Sequence, residues 1–273
     1  MIPIEREFTV RRGEGIYIVF LGDFHVGDPN IDFERLEKVV NVIRNSRNIF
    51  WIGMGDYCHS IMPHPEEKRF DFDNVDRKLL TPKEQYDYVF KLLHPIRRRC
   101  LLILTGNHDE KLRTLHYHDW VDELAERLGV KYTGMSGFLK MKFQRENSES
   151  RRTVKIYVHH GDFSGRTTGG KVKRVEEMRH IFMDADIYGM GHVHDIMFRP
   201  LPRLYVDENL RVREQIQYFI LTGGFERGYP EIKNTSYIEK KMLQPTMLGS
   251  PEIIVKPFSG RDEKLEVNFG RIL

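Results

Sequence analysis

Five short polar motifs carry the residue types that bind metal ions or transfer protons. Each is rich in Asp, His or Asn, and most of them directly follow an apolar run. A single motif of this kind arises often by chance, whereas five in one chain predict a composite site. In chain order they are Asp23-Phe24-His25, Gly55-Asp56, Gly106-Asn107-His108-Asp109, His159-His160-Gly161 and Gly191-His192-Val193-His194.

The side chains in these motifs favour two divalent metal ions. Imidazole suits Zn, Fe, Mn and Ni, whereas carboxylate and amide oxygens suit harder ions. Neither Cys58 nor Cys100 is needed as a ligand. With about four protein ligands per ion and one shared carboxylate, two ions roughly 3.5–4 Å apart would clamp the attacking and leaving oxygens of a phosphoryl displacement. Glycines beside the ligands, such as Gly55 and Gly106, let the backbone turn sharply and approach the ions closely.

The apolar runs before the motifs predict β-strands that position them. In a layered α/β sheet, ligands gather at the carboxyl ends of the strands, so the motifs are expected to converge in space. Amphipathic segments between several of these runs indicate helices. The predicted strands are Ile16 to Leu21, Ile49 to Ile52, Cys100 to Leu104, Phe138 to Phe143, Val154 to Val158, Ile187 to Met190, Gln217 to Leu221, Glu252 to Val255 and Leu265 to Asn268.

Four helices are predicted, two of them with clear end signals. Thr81-Pro82-Lys83-Glu84 combines an N-cap Thr, Pro at the first helical position and Glu three residues after the cap. Gly129 is a predicted C-cap for the helix at 120–128, and the other two cover 33–43 and 172–182. After Asp195 the chain has mainly strand and loop patterns. We expect a single domain over 1–273, in which 12–195 carries the motifs and 196–273 completes a second sheet.

The composition is that of a globular protein and excludes several classes. The 273 residues are 40% hydrophobic and 30% charged, enough for one substantial core. A net charge of +3 and a pI near 8.7 suit an anionic substrate but fall short of a dedicated nucleic-acid binder. Two cysteines cannot form a disulfide framework, and the start of the chain has no signal-peptide core. The sequence predicts a cytoplasmic location and no membrane partner.

The ordered motifs resemble the calcineurin-like metallophosphoesterase superfamily, including its phage and prokaryotic members, over about Asp23 to His194. The resemblance implies a four-layer sandwich of two mixed β-sheets flanked by helices, an α/β fold at the border of α+β. It also implies two divalent metal ions, Mn²⁺ first, with Fe, Zn and Ni as alternatives. The residue immediately before Gly161 matches the family better, which favours His160 over His159. By this resemblance, Asp23, His25 and His194 hold one ion, Asn107, His160 and His192 hold the other, and Asp56 bridges them.

The resemblance further implies hydrolysis by in-line attack of a metal-bridging hydroxide. His108 would contact the phosphoryl oxygen or protonate the leaving group, while Asp109 would orient the ring and support its charge. Many members have Gly-Asp-x-x-Asp where this chain has His59 as the last residue. A His there is similar to the double-strand-break repair nuclease branch, and we expect His59 either to contact the metal ligands from outside or to contact the substrate.

Three further segments have less specific patterns. Gly165 to Lys171 follows the His-His-Gly motif and leads into a helix, so its backbone amides, Arg166 and Lys171 are predicted to bind a substrate phosphate; an ordinary flexible loop is the alternative. Arg97-Arg98-Arg99 ends a helix before a strand and is interpreted as structural. The long connection from Tyr57 to Leu80 is typical of a lid, with surface packing as the alternative.

The sequence therefore predicts a metallophosphoesterase, with a phosphodiesterase or nuclease as the first choice. A phosphomonoesterase or nucleotide phosphatase would use the same metal centre. A non-catalytic protein-binding scaffold is the remaining alternative. The expected partners are a phosphate-ester substrate, with nucleotides and nucleic acid among the candidates, and a second copy of the chain in a homodimer.

Overall fold

Apolar runs and amphipathic segments assemble into two mixed β-sheets covered by helices. The computed structural model describes residues 3–61, 63–67, 70, 75–162, 165–230, 236–260 and 264–272, so residues 62, 68, 69 and 71–74 of the predicted lid lie outside it. Within these ranges the strands are β1 (Ile4–Val10), β2 (Ile16–Leu21), β3 (Ile49–Gly53), β4 (Cys100–Ile103), β5 (Ser136–Arg145), β6 (Arg151–His159), β7 (Ile187–Met190), β8 (Ile196–Val206), β9 (Val212–Thr222), β10 (Ser250–Ser259) and β11 (Lys264–Ile272).

The helices lie between these strands, and several of their ends coincide with capping residues in the sequence. Thr81 and Glu84 form the predicted capping box of the second helix, and Gly129 ends the fourth with a φ of 68°. The first helix begins after Asp32, whose side chain accepts from the backbone N–H of Arg35. The helices are α1 (Phe33–Asn45), α2 (Pro82–Leu93), α3 (Asn107–His116), α4 (Trp120–Leu128), α5 (Thr168–Glu177) and α6 (Tyr237–Lys240), with 3₁₀ turns at His94–Arg99 and Met178–His180.

The two sheets pack face to face between two layers of helices. One sheet has the order β11-β10-β2-β3-β4 and the other β1-β5-β6-β7-β9-β8. Side chains such as Phe20 and Ile156 fill the space between the sheets, and α1, α2 and α4 cover the outer face of the five-stranded sheet. Helix α5 covers the outer face of the six-stranded sheet through Val175. The predicted fold of two mixed sheets flanked by helices is confirmed.

The chain after Asp195 contributes to both sheets. Strands β8 and β9 extend the six-stranded sheet, whereas β10 and β11 extend the other. This part, which was predicted to complete one second sheet, is thus divided between the two sheets. Strands β1 and β8 and helix α3 were also not predicted from the sequence.

The arginine run after α2 is structural, as its pattern indicated. The guanidinium of Arg97 donates to the carbonyl of His94 at 2.8 Å, and that of Arg99 donates to the carbonyl of Ile43 in α1. These contacts hold the turn between α2 and β4. None of the described helices combines the length and the apolar character needed to cross a membrane.

Candidate metal centre

The carboxyl ends of strands from both sheets deliver the motif residues to one place. Asp23 and His25 follow β2, and Asp56 follows β3. Asn107 begins α3 after β4. His160 follows β6, and His192 and His194 follow β7. The convergence expected from the strand positions is therefore what the structure shows, because the facing sheets bring their carboxyl ends together.

The proposed ligands fall into two groups of atoms. The Nε2 of His194 lies 3.3 Å from an oxygen of Asp23 and 3.0 Å from the Nε2 of His25. In the second group, the Nε2 of His160 lies 3.0 Å from the Oδ1 of Asn107. The groups Asp23, His25 and His194, and Asp56, His160 and His192, each have one ligand atom per residue within 4.8 Å of the others.

Asp56 lies between the two groups. Its Oδ2 is 3.8 Å from the Nε2 of His25 and 3.3 Å from the Nε2 of His160. The Oδ1 of Asp56 accepts from the backbone N–H of His108 at 2.8 Å. One carboxylate is thus fixed with an oxygen near both groups, which is the geometry that a bridging ligand requires.

Five of the seven proposed ligands have left-handed backbone conformations. The φ values are 51° for Asp23, 48° for His25, 51° for Asp56, 69° for His192 and 50° for His194. Such conformations are uncommon outside glycine and persist only where the surrounding structure holds them. Their concentration here indicates a site in which backbone strain is accepted in order to aim the side chains.

Glycines next to the ligands permit a close approach of backbone segments. Gly55 has a φ of 88°, and a Cβ there would lie 2.6 Å from the backbone nitrogen of Gly106. A Cβ on Gly106 would in turn overlap the carboxylate of Asp56. The motif glycines are therefore required by space as well as by backbone geometry.

The structure distinguishes between the adjacent histidines of the fourth motif. His160 is fully buried, and its Nδ1 donates to the carbonyl of Met54 at 2.7 Å, so its Nε2 faces the cluster. His159 instead accepts from the backbone N–H of Gly161 through its Nδ1 at 2.8 Å. Of the two, His160 is the one placed among the proposed ligands.

Buried carboxylates give the site a field that attracts positive charge. Burial alone would lower the pKa of His160, but Asp56 outweighs it and raises this pKa to about 10. Burial likewise opposes protonation of His194, yet Asp23 raises its pKa to about 9. Burial raises the pKa of Asp56, but His160 and other histidines outweigh it and hold the pKa well below the ordinary value.

The donor set fits divalent cations. Imidazole nitrogens and carboxylate and amide oxygens converge, and no cysteine is among the described groups. The Nε2 atoms of His25 and His194 lie 3.0 Å apart, so both nitrogens are near enough to ligate one cation once both rings are neutral. Burial, followed by the charge of His108, holds the pKa of His25 well below its ordinary value, which favours the neutral, ligating form.

The ring of His108 is oriented by the backbone of His59. The Nδ1 of His108 lies 2.5 Å from the carbonyl oxygen of His59. Because a carbonyl only accepts, this nitrogen must carry the hydrogen, which leaves Nε2 for the cavity. His25, His59 and His108 also form a third group with ligand atoms within 4.8 Å of one another.

Asp109 does not contact the His108 ring that it was predicted to orient. Its Oδ2 accepts from the backbone N–H groups of Asp56 at 2.8 Å and Gly106 at 3.0 Å, and its Oδ1 accepts from the hydroxyl of Tyr86 at 2.6 Å. The prediction that Asp109 orients the His108 ring is therefore wrong, because these contacts occupy both oxygens on the buried side of α3. Asp109 fixes the backbone that carries Asp56.

A cavity of about 770 Å³ opens above the ligands. The predicted substrate residues His59, Arg166 and Lys171 all line it, and Lys171 also contacts Asp195 at 3.3 Å. Sequence reasoning missed the other polar lining residues that the structure brings here: Asp28, Asn30, Glu226, Lys240, Lys241, Gln244 and Thr246.

Glu226 had a usable sequence signal, whereas the other missed residues did not. It follows the predicted strand that became β9, which is the same relation to a strand that identified the ligands. Its Oε2 lies 3.7 Å from the Nδ1 of His194. Asp28 is also buried here, and burial, followed by the charge of Glu226, raises its pKa to about 7.

Comparisons with known proteins identify a family model and several solved structures that resemble this chain. A family model described as calcineurin-like phosphoesterase matches residues 16–234, a range that includes all seven proposed ligands. A metallophosphoesterase from Sphaerobacter thermophilus is 13% identical, with a TM-score of 0.41, and the match covers 94% of this chain and 89% of that one. Vps29 from Entamoeba histolytica, solved with Zn²⁺, is 13% identical with a TM-score of 0.38, covering 94% and 100%. No curated protein matches the sequence significantly.

Proposed function

The chain belongs to the calcineurin-like phosphoesterase family, and we propose that within this family of phosphate-ester hydrolases it is a dinuclear-metal phosphodiesterase. The observation that carries the proposal is the position of Asp56, whose Oδ2 lies 3.8 Å from the Nε2 of His25 and 3.3 Å from that of His160. One group is assigned Asp23, His25 and His194, and the other Asn107, His160 and His192.

Two divalent cations held by these residues would supply Lewis-acid stabilisation of the phosphoryl group and lower the pKa of water at the site. We assign Mn²⁺ as the first metal to test, because the ligands are imidazole nitrogens and oxygens without thiolate. The chain's own contribution is the alignment of the ligands, which the left-handed backbone at Asp23 and Asp56 and the buried contacts of Asp109 support.

His108 is assigned as the group that delivers a proton to the leaving oxygen. Its Nδ1–H is held by the carbonyl of His59, so a proton on Nε2 is the one available to a substrate in the cavity. The side chains of His59, Arg166 and Lys171 line the same cavity and are assigned to substrate contacts.

A diester is favoured over a monoester by the space around the ligands. A cavity of about 770 Å³ lies within the range typical of pockets for whole organic ligands. A diester places organic groups on both sides of the scissile phosphate and so occupies more of this space than a monoester of the same alcohol. Nucleotidyl diesters, including nucleic acid, are the substrates that this shape and the cationic residues Arg166 and Lys171 best accommodate.

The assay that tests the proposal compares substrates that release the same product. Protein loaded with Mn²⁺ is assayed with bis(p-nitrophenyl) phosphate and with p-nitrophenyl phosphate, and both are followed by p-nitrophenolate absorbance. We expect a higher kcat/KM for the diester. Faster turnover of the monoester would overturn the diester assignment, and a metal-loaded protein that hydrolyses neither would overturn the proposed function.

A further inference from the structure

The cavity extends beyond the proposed ligands to the segment at 236–246. Ile238, Leu243 and Thr246 line it from this segment together with two adjacent cations, Lys240 and Lys241. This wall is part of none of the five sequence motifs and is formed by a different part of the chain from Arg166 and Lys171. The residues of the wall are therefore candidates for a function other than holding the metal ions.

The segment is held in place by buried and hydrogen-bonded contacts. Ile238 is buried and packs directly against Gly228. A Cβ added to Gly228 would lie only 2.9 Å from the Cγ2 of Ile238. The hydroxyl of Ser236 accepts from the backbone N–H of Glu239 at 3.0 Å. The backbone N–H of Leu243 donates to the carbonyl of Ile238 at 3.0 Å. The carbonyl of Leu243 accepts from the hydroxyl of Tyr229 at 2.8 Å. Lys240, the last residue of α6, and Lys241, which follows it, thus lie in a segment whose backbone is held by these contacts.

The wall adds positive side chains to the positive charge of the two proposed metal ions. A phosphodiester carries about one negative charge, which the two proposed divalent cations would already face. Lys171 contacts Asp195, but Lys241 has no ion-pair partner in the described part of the chain. A fixed cation at the rim of a cavity raises the local concentration of anions and favours a ligand with a second negative group.

Apolar side chains also line the cavity. Val193, Ile238 and Leu243 line the cavity together with the ligand histidines. Apolar side chains with a few fixed polar groups are typical of sites that bind the organic part of a ligand and orient it through its charges. A nucleoside that packs against such residues leaves its phosphates to meet the charged residues of the same cavity, which include Lys240 and Lys241.

We propose that residues 236–246 form a subsite that binds a second phosphate of the substrate through Lys240 and Lys241. The preferred substrates are then nucleotidyl diesters that carry a further phosphate, as in a nucleic-acid strand, rather than diesters with a single phosphate. This inference rests on the proposed phosphodiesterase function, because it names the substrate class of the same cavity.

The test uses two substrates that differ by one phosphate. Thymidine 5′-(p-nitrophenyl phosphate) and its 3′-phosphorylated form release p-nitrophenolate from the same bond. We expect the 3′-phosphate to raise kcat/KM about tenfold, as one charge-assisted contact does. In the double variant Lys240→Ala with Lys241→Ala, the ratio between the two substrates should fall to about one. An exposed lysine outside the cavity provides the matched control, because Lys131→Ala should keep the tenfold ratio.

A binding measurement separates the subsite from the reaction. Titration calorimetry with thymidine 3′,5′-bisphosphate and thymidine 5′-monophosphate should show tighter binding of the bisphosphate to the wild-type protein and the Lys131→Ala control, and no preference in the double lysine variant. Equal binding by the wild type, or a preference that survives in the double variant, would overturn the subsite. If no substrate is hydrolysed, the proposed function fails, while the titrations still decide whether the second phosphate is bound.

Discussion

The carboxylate of Asp109 accepts a hydrogen bond from the backbone N–H of Asp56 at 2.8 Å. This contact joins the first turn of α3 to the loop after β3 and holds Asp56 in its left-handed conformation, with φ at 51°. Gly106 and Tyr86 donate to the same carboxylate. Asp109, which belongs to the Asn-His-Asp motif, therefore holds the backbone of the Gly55-Asp56 motif. It does not contact the ring of the neighbouring His108.

Two substitutions of Asp109 separate this backbone role from a role in charging His108. Asp109→Asn keeps an acceptor for the two backbone N–H groups and can donate to the Tyr86 hydroxyl, so we expect a small change in stability and metal content. Asp109→Ala leaves the buried N–H groups of Asp56 and Gly106 unpaired and should cost about 3–5 kcal/mol of unfolding free energy. Chemical denaturation and metal analysis measure both effects.

The competing interpretation predicts a different pattern. If Asp109 charged the His108 ring, Asp109→Asn would keep its metals and stability and lose most of its kcat. A loss of turnover at least a hundredfold in Asp109→Asn, with unchanged metal content, would therefore contradict the backbone role.

Gly106 is predicted to tolerate no side chain. A Cβ at this position would overlap the carboxylate of Asp56, and relief would have to come from the residue proposed to bridge the metals. We expect Gly106→Ala to lower the unfolding free energy by about 1–3 kcal/mol and to reduce bound metal. Gly169 is the matched control, because nothing lies within 4 Å of a Cβ placed there. Thermal unfolding should show Gly169→Ala at least as stable as the wild type.

The motif residues and the helix ends were predictable because they depend on local chemistry. The capping box at Thr81 and the left-handed cap at Gly129 are encoded within a few residues. The convergence of the motifs follows from a general property of strand ends. The partner of Asp109 was not predictable, since the choice between His108 and the backbone of Asp56 is made by tertiary packing.

The missed strands have physical explanations. Strand β8 contains Pro200 and Pro202, which normally indicate that a segment is not a strand. The two prolines are tolerated because β8 is at the edge of its sheet, where no further strand hydrogen-bonds to its outer side. In β1, charged residues alternate with partly buried ones such as Phe8, and the charges hid the period of two. The wall at 236–246 has neither a periodic pattern nor a motif.

Asp32 gives a prediction of pH-dependent stability. Burial raises the pKa of this carboxyl, but the backbone N–H of Arg35 and the guanidinium of Arg227, 3.2 Å away, outweigh it, so the pKa lies below its ordinary value. A lowered folded-state pKa stabilises the protein above the unfolded pKa, near 3.9, and the stabilisation is lost as the pH falls through the folded pKa. Asp32→Asn keeps the N-cap of α1 and removes only the charge.

We therefore expect Asp32→Asn to be about 0.5–1 kcal/mol less stable than the wild type near pH 7. The difference should shrink as the pH falls below about 4, because the unfolded wild-type chain then takes up a proton on Asp32 before the folded protein does, and it should vanish below the folded pKa. Urea unfolding of both proteins at a series of pH values measures this difference in unfolding free energy. A difference that stays constant down to pH 3 would show that the charge of Asp32 contributes nothing to stability.

The division of labour between Asp56 and His108 is the sharpest test of the proposed site. Asp56→Ala removes the oxygen that lies between His25 and His160, so bound metal and activity should be lost together. His108→Ala leaves both ligand groups in place and removes the proton donor, so metal content should be retained while kcat falls about 10²–10⁴-fold. Metal analysis of each purified variant, beside its kcat with bis(p-nitrophenyl) phosphate, gives the comparison. Full activity in Asp56→Ala would contradict the bridging role, and loss of metal in His108→Ala would make His108 a ligand rather than an acid.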